Sequence, residues 1–294
     1  MTHAFWLKQL GSLKTDKGNA PHKPLLLLTI LEVAEQDGDL PAMLRLTPEL
    51  AFRFREFEHV VAHRRTQRRD IRMPFHHLAS SKIWTPRTKE GERSPHRTVT
   101  AAVNVDPAFR SACLDPQFRA SARTILIRKY FEPNEQRLLT KLVGLAPDQE
   151  TELASELPLT YSQEIQKAVR DTRFRLDVVP TYNDTCALTG YRVTTIDRGA
   201  VVDAAHIHQF SASRDNDLRN GLALCKNAHW LFDAGLWSID DEYRVLVEED
   251  RFEESAPNQT ALNGFAGKKL RLPRNREHWP LPKYLAAHRR QHHF

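Results

Sequence analysis

The sequence is poor in cysteine and has no long apolar run. It holds 3 cysteines in 294 residues, an odd and low number that argues against a disulfide framework and favours a reducing compartment. The longest apolar run, Leu25–Leu28, is far shorter than the roughly 18 residues that a membrane-spanning helix needs. The first residues show no apolar segment of a secretory signal. We therefore expect a cytoplasmic protein that has no contact with a membrane.

The composition is that of an ordinary globular protein, with 40% hydrophobic and 27% charged residues. A chain of 294 residues is long enough for about two domains. Its basic excess lies in one half: residues 1–150 hold 24 Lys and Arg against 17 Asp and Glu, whereas residues 151–294 hold 19 against 20. This imbalance is compatible with a domain that binds a polyanion, and it also lies within ordinary variation.

An arginine-rich segment stands out between residues 51 and 72. Arg64, Arg68 and Arg72 recur at every fourth position, which on a helix aligns them along one face, and Arg65 and Arg69 lie beside them. Arginine binds phosphate well because its planar guanidinium donates two hydrogen bonds at once. The pattern predicts a helix face that contacts DNA, and a solvated helix face is the alternative.

The rest of the first half predicts helices with two short strands. A buried helix should begin near Pro24 and end before Gly38, which suits a helix C-terminus. Met73–Leu78 and Lys82–Pro86 are predicted as strands. Adjacent histidines, here His76 and His77, point to opposite sides of a strand, so we expect surface or substrate contacts from them rather than a metal site.

A helix is also predicted at residues 107–129, and a second, short helix follows it and ends at about residue 142. An acidic stretch with two prolines follows, and we place a domain boundary there. The predicted organisation is a recognition domain at 1–145, a linker at 146–165 and a second domain at 166–294. In this second domain we expect a helix at about 162–178 and then short β-strands.

The most informative segment is Cys186–Ile239. It is predicted to form a short strand at Cys186–Leu188, a turn, a second strand that ends near His206, a loop that closes at Asn220, and a helix that carries His229. Four motifs follow one another in this segment: Cys186-Ala-Leu-Thr189-Gly190, Ala204-Ala-His206-Ile207, Asn220-Gly-Leu222 and His229-Trp-Leu-Phe232-Asp233-Ala-Gly235-Leu236.

These ordered motifs, with a matching tail, resemble the HNH nuclease family over about residues 172–294, in particular bacterial HNH restriction endonucleases. The resemblance implies an α+β protein in which a mixed α/β DNA-recognition domain precedes a ββα-metal HNH nuclease domain. It implies a metal-dependent DNA endonuclease for restriction or phage defence. One divalent cation is expected as cofactor, Mg²⁺ or Mn²⁺ or another transition ion.

The resemblance also implies a role for each motif residue. His206 would be the general base, since a neutral imidazole can take a proton from water at cellular pH. His229 would ligate the cation, and Asn220 would fix the loop between them. Asp203 is a candidate ligand with a structural hydrogen bond as its alternative role. Asp233, one helical turn after His229, would orient the imidazole or else cap the turn.

Two departures from the family pattern oppose this interpretation. Ala205 stands where many relatives have a metal ligand, just before the general base. Many relatives hold a structural zinc with two CxxC pairs. At the corresponding positions this chain keeps only one cysteine of each pair, Cys186 and Cys225. Two thiolates do not complete a tetrahedral zinc site, so we expect no structural zinc and two buried cysteines. A DNA-binding protein with a degenerate, non-cutting HNH fold is the alternative function, and an RNA-processing nuclease is a third.

The first half, residues 1–145, is similar to the sulfur-binding domain, which recognises the phosphorothioate-modified DNA backbone. The motifs are Pro21-His-Lys-Pro-Leu-Leu-Leu-Leu28, Pro74-Phe-His76-His77-Leu78 and Trp84. The resemblance implies that Tyr130 lines an apolar pocket for sulfur, while His76, His77 and the arginines contact the DNA. Double-stranded DNA is the expected partner, and modification-dependent and plain sequence-dependent binding remain alternatives. A homodimer is expected because one HNH site cuts one strand.

Overall fold

The protein is described by a computed structural model. It covers residues 2–15, 21–61, 64, 70–145, 159–256 and 260–294, with the backbone alone at 159–166 and 168. The chain divides into two compact units, Met1–Val169 and Arg170–Phe294. The exact domain boundaries stay a prediction, and residues 146–158 of the predicted linker lie outside the described residues. In the described parts no helix has the length and apolar character to cross a membrane.

The first unit is built from helices and a three-stranded antiparallel sheet with the order β1-β3-β2. The strands are β1 (Met43–Arg45), β2 (Trp84–Arg87) and β3 (Ala102–Val105). The helices are α1 (His3–Leu10), α2 (His22–Gln36), α3 (Pro48–Glu58), α4 (Arg72–His77), α5 (Pro107–Leu114), α6 (Pro116–Tyr130) and α7 (Pro133–Leu142).

Helix α2 forms the centre of this unit. The side chains of Leu25–Leu28 and Ile30 are completely buried, because the helix packs against α3, α4, α5 and α6. Burial on most sides was predicted from the nearly uniform apolar run and is confirmed. Burying each leucine contributes about 1.5–3 kcal/mol to stability, so α2 holds the neighbouring helices together.

The predicted strand at Met73–Leu78 is wrong, because these residues form α4 and a following 3₁₀ turn. Proline is tolerated in the first turn of a helix, where its missing N–H has no intrahelical partner, and Pro74 is the third residue of α4. The carboxylate of Asp70 accepts a hydrogen bond from the backbone N–H of Arg72 at 3.0 Å, which satisfies one of the N–H groups that lack an intrahelical partner in the first turn. The predicted strand at Lys82–Pro86 corresponds to β2.

Two predicted helices are also divided. Residues 107–129 form α5 and α6, because the residue before a proline avoids the helical region and Asp115 before Pro116 is extended. The segment 51–72 is not one helix either. Helix α3 ends at Glu58 and Arg64 lies in a bend, so the predicted alignment of Arg64 with Arg72 on one helix is wrong.

The second unit is a set of small antiparallel strand pairs with helices packed on them. The helices are α8 (Leu159–Thr181, which begins before this unit), α9 (Phe210–Ser213), α10 (Lys226–Asp233) and α11 (Pro282–His292). The strands are β4 (Thr194–Thr195), β5 (Gly199–Ala200), β6 (Val202–His206), β7 (Gly221–Cys225), β8 (Trp237–Ile239) and β9 (Val245–Val247).

The pair β6–β7 and helix α10 form the predicted ββα unit. The register places Val202 opposite Cys225 and His206 opposite Gly221, and α10 begins directly after β7. The strand predicted at Cys186–Leu188 is wrong: these residues form a turn that ends at Gly190, whose φ is +72°.

Helix α8 lies very close to β7 at Gly221. A Cβ on Gly221 would be 2.4 Å from Cγ2 of Val178 and 3.0 Å from Cζ of Phe174, which is too close for a side chain. Because Gly221 has no side chain, α8 can pack onto the strand pair at this residue, which lies opposite His206 in the register.

The C-terminal helix α11 is tied to β8 by a buried histidine. His288 Nδ1 lies 2.8 Å from Ser238 Oγ, and its ring stacks on Phe232 at 3.8 Å between centroids. Burial lowers the pKa of His288 from 6.5 to about 3. The folded state thus favours the neutral imidazole, which an unfolded chain would protonate below pH 6.5.

We expect the His288→Gln variant to lose less stability than the wild-type protein when the pH falls. Because the folded pKa is depressed, the stabilisation is present above pH 6.5 and is lost as the pH falls toward 3, by about 1.4 kcal/mol per pH unit. Urea denaturation of the full chain at about pH 7 and about pH 5.5 measures this loss for both proteins. An equal loss in wild type and variant would refute the role of His288.

Candidate active site and nucleic-acid interface

His206 ends β6 and its ring is held on two sides. The ring of Phe174 stacks on it with centroids 3.8 Å apart and an angle of 4°, and its Nε2 atom lies 2.9 Å from Oδ1 of Asn216. Burial lowers the pKa of His206, while the hydrogen bond to Asn216 opposes this shift. The imidazole is therefore neutral at physiological pH and can accept a proton.

Asn220 closes the loop that follows His206. Its fully buried side chain accepts a hydrogen bond from the N–H of His208 at 2.8 Å and donates to the carbonyl oxygens of His208 and Asp215, both at 3.0 Å. Its own carbonyl accepts from the N–H of Ile207 at 2.9 Å. One amide thus joins the two ends of the loop, which is the bracing that the resemblance implied.

His229 lies on α10, in the helix that follows β7. Its Nε2 atom is 3.3 Å from Oδ2 of Asp233, one turn further along the same helix. Both side chains are partly exposed, so an imidazole nitrogen and a carboxylate are available together at the surface. His229 also acts on His206, because its charge contributes to the lowered pKa of His206.

Asp203 does not join this group. Side chains alternate along β6. Asp203 and Ala205 therefore lie on one face of the strand, and His206 lies on the other face. The Oδ1 atom of Asp203 is 3.0 Å from Nε of Arg175 on α8. The structure thus places Asp203 in an ion pair with α8 on the other face of β6 from His206, and its role as a metal ligand stays a prediction.

The two cysteines of the motif lie side by side. Cys186 is buried as predicted, whereas Cys225, predicted to be buried, is partly exposed. A hydrogen bond from Cys225 lowers the pKa of the Cys186 thiol. The prediction of no structural zinc is not tested by this geometry and stays a prediction.

In the first unit, His76 and His77 belong to a group of basic side chains around α4. The two rings touch with centroids 5.0 Å apart, which corrects the prediction that they point to opposite sides of a strand. His76 Nδ1 lies 2.8 Å from Thr100 Oγ1. We call Lys23, His76, His77, His96 and Arg97 the α4 basic cluster.

The members of this cluster oppose each other's positive charge. Burial and then the neighbouring Lys23, Arg97 and His96 lower the pKa of His77, and burial with His77 and His96 lowers the pKa of His76. Lys23 Nζ donates to Ser80 Oγ at 3.2 Å. Such a cluster attracts anions. The sequence analysis missed three of its members, because Lys23 lies in the first turn of α2 and His96 and Arg97 lie in the loop after β2.

Arg64 is part of the fold rather than of this cluster. Its guanidinium donates from Nε to Oε1 of Glu135 at 2.6 Å and from Nη2 to Oε2, and Glu135 is 1% exposed. Glu135 also accepts from the N–H of Glu132 at 2.8 Å, at the start of α7. The predicted contact of Arg64 with DNA is therefore not supported by its position.

The other predicted DNA contacts have different outcomes. Arg72 lies one turn before His76 on α4 and pairs with Asp70 at 3.2 Å. The hydroxyl of Tyr130 donates to the carbonyl of Leu10 at 2.9 Å and accepts from the N–H of Leu13 at 2.7 Å, so it fastens the end of α1. The remaining predicted contacts, Arg65, Arg68 and Arg69, lie outside the described residues.

Two family models match the chain. Residues 186–240 match the HNH endonuclease family, and residues 5–148 match the ScoMcrA-like, DNA sulfur-binding domain. Both resemblances found in the motifs are confirmed. The chain thus has an N-terminal DNA-binding domain and a C-terminal HNH domain, within an α+β architecture of helices and small antiparallel sheets.

Among solved structures, the chain is similar to one described as "Modification dependent TagI restriction endonuclease". The two are 26% identical with a TM-score of 0.33, and the match covers 42% of this chain and 38% of that chain. A search of curated proteins gives no match.

We expect Arg64→Ala to lower the stability of the first unit by about 3–5 kcal/mol, because it removes the guanidinium that is hydrogen-bonded to the buried carboxylate of Glu135. Urea denaturation measures this loss. The control is Lys129→Ala, which removes an exposed cation of α6 and should change stability by less than about 0.5 kcal/mol. A loss of DNA affinity at unchanged stability would instead place Arg64 on the DNA.

Proposed function

We propose that this chain, in which a DNA sulfur-binding domain precedes an HNH domain, is a metal-dependent, modification-dependent DNA endonuclease. The first unit selects double-stranded DNA and the second hydrolyses a phosphodiester bond, in restriction or phage defence. The observation that carries this proposal is the ββα unit, in which His206 and His229 stand on adjacent elements and Asn220 braces the loop between them.

His206 is the proposed general base. Hydrolysis of a phosphodiester needs a group that removes a proton from water as the oxygen attacks phosphorus. The lowered pKa of His206 keeps the ring neutral near pH 7, and Phe174 stacks flat against one face of the ring. A base of this kind contributes about 10²–10⁴ to the rate.

His229 and Asp233 are the proposed ligands of one divalent cation. HNH nucleases generally use such a cation, and an imidazole with a carboxylate is a donor pair that suits several divalent ions. Within the described residues no group of three or more His, Cys, Asp and Glu could hold a metal. The fit therefore requires phosphate oxygens or water as further ligands, as is usual for Mg²⁺. When bound, the cation stabilises the charge of the transition state.

The α4 basic cluster is the proposed contact of the first unit with the DNA backbone. Burial and the neighbouring basic groups lower the pKa of His76 and His77, and a phosphate or phosphorothioate anion would relieve the repulsion between these groups. The match to the DNA sulfur-binding domain supports a backbone modified with sulfur as the ligand. Arg72 extends the cluster along α4, and Arg65, Arg68 and Arg69 remain candidates on sequence grounds.

The alternative is a degenerate HNH protein that binds DNA without cutting it. The observation that favours it is Ala205, which is fully buried and offers no ligand next to the base. The chain is further proposed to act as a homodimer, since one HNH site cuts one strand, and in the cytoplasm, since its three cysteines are free.

We expect His206→Ala to lower the rate of DNA cleavage by at least about 100-fold because the general base is lost. The assay uses plasmids with and without phosphorothioate linkages and tests Mg²⁺ and Mn²⁺ separately. DNA binding in gel shifts should be unchanged. His278→Ala is the matched control, since it removes a histidine of the same unit that lies outside the site, and it should cut like wild type.

Cleavage by the His206→Ala protein at the wild-type rate would overturn the role of His206. Binding without cleavage by the wild-type protein, under every metal condition, would establish the degenerate alternative.

A further inference from the structure

The ring of His206 is oriented by two residues that lie outside the His-Asn-His motif. Phe174 of α8 covers one face of the ring, and Asn216 contacts one edge. Phe174 is 3% exposed and lies outside the matched HNH segment, residues 186–240. The plane and the rotation of the imidazole are thus both determined by the surrounding fold.

The atom that Asn216 presents determines which ring nitrogen carries the proton. Oδ1 of an asparagine only accepts hydrogen bonds, so Nε2 of His206 at 2.9 Å must be the donor. In a neutral imidazole the second nitrogen then has no proton. Nδ1 is therefore the nitrogen with a free lone pair.

Asn216 itself is held from both sides. The carbonyl of Asp215 accepts from the Asn220 amide at 3.0 Å, and the side chain of Asp215 accepts from the N–H of Asp217 at 2.9 Å and from the hydroxyl of Tyr284. The motif residue Asn220 thus acts on His206 through Asn216, because it fixes the segment from which Asn216 reaches the ring.

We propose that Asn216 is a positioning residue that holds His206 as the Nε2–H tautomer, so that Nδ1 is the atom that accepts the proton from water. This rests on the proposed function. In the step, an O–H bond of water breaks, the proton moves to Nδ1, and the electron pair stays on the oxygen that attacks phosphorus. His206 becomes an imidazolium whose Nε2–H still donates to Asn216.

Three charged or titratable groups also act on His206. Arg170 and Asp171 lie on α8, and His229 lies on α10; Asp171 raises the pKa of His206, and the other two lower it. The test therefore uses a direct measurement of the tautomer in addition to the cleavage rate.

The first experiment measures the ¹⁵N chemical shifts of the His206 ring in the full chain without metal or DNA. We expect a protonated Nε2 and an unprotonated Nδ1 in wild type. In Asn216→Ala both shifts should move toward values averaged between the tautomers, because the acceptor is gone. A wild-type ring with its proton on Nδ1, or an unchanged ring in the variant, would overturn the proposal.

The second experiment measures cleavage by Asn216→Ala and Asn216→Asp at about pH 8, where an ordinary histidine is neutral. The alanine variant should cut about tenfold more slowly, and the aspartate variant, which keeps the acceptor oxygen, should recover most of the rate. Asn263→Ala removes an exposed asparagine of the same unit and is the control for an unspecific effect. Equal rates in wild type and Asn216→Ala would overturn the proposal.

The two experiments separate this proposal from the proposed function. If the ring has the expected tautomer but His206→Ala still cuts, then the proposed function fails and the geometric inference stands. If His206→Ala is inactive but Asn216→Ala leaves tautomer and rate unchanged, then only the positioning role fails.

Discussion

The close approach of helix α8 to the β6–β7 pair at Gly221 is the constraint on which the second unit depends. No side chain fits there, because even a Cβ would collide with Val178. The approach places Phe174 flat against His206 and buries the imidazole, and burial is the main cause of its lowered pKa. The lowered pKa of His206 thus follows from the packing of α8 at Gly221, the residue that lies opposite His206 in the strand register.

The loop between β6 and β7 complements this packing. Asn220 joins its two ends, and the segment at Asp215 and Asp217 presents Asn216 to the ring. Packing sets the plane of the imidazole, while the loop sets its hydrogen bond. The first unit shows a different principle, since basic side chains lie close together around α4, and burial together with these neighbours lowers the pKa of His76 and His77. A site with such repulsion is suited to an anion, and the basic excess of residues 1–150 agrees with that.

The sequence predicted the parts of the site that depend on spacing. The His206, Asn220 and His229 motifs indicated the ββα unit, and the apolar run at Leu25–Leu28 indicated a buried helix. Contacts between distant residues could not be predicted in this way. Glu135 lies 71 residues from Arg64, so nothing in the arginine pattern revealed their ion pair.

The same limit applies to the residues around His206 and to α4. Neither Phe174 nor Asn216 belongs to a spaced motif, because each reaches His206 only through the fold. The helix at Arg72–His77 was missed for a local reason: a proline is compatible with a strand edge as well as with a first helical turn, so Pro74 did not distinguish the two.

The central claim is that one chain both reads a modified backbone and cuts the DNA that carries it. The most direct test maps the cleavage products of a linear duplex with a single phosphorothioate linkage, against the same duplex without sulfur. We predict cuts confined to a short, fixed distance from the linkage and no comparable cleavage of the unmodified duplex. Cuts at the same positions and rates in both duplexes would contradict the claim.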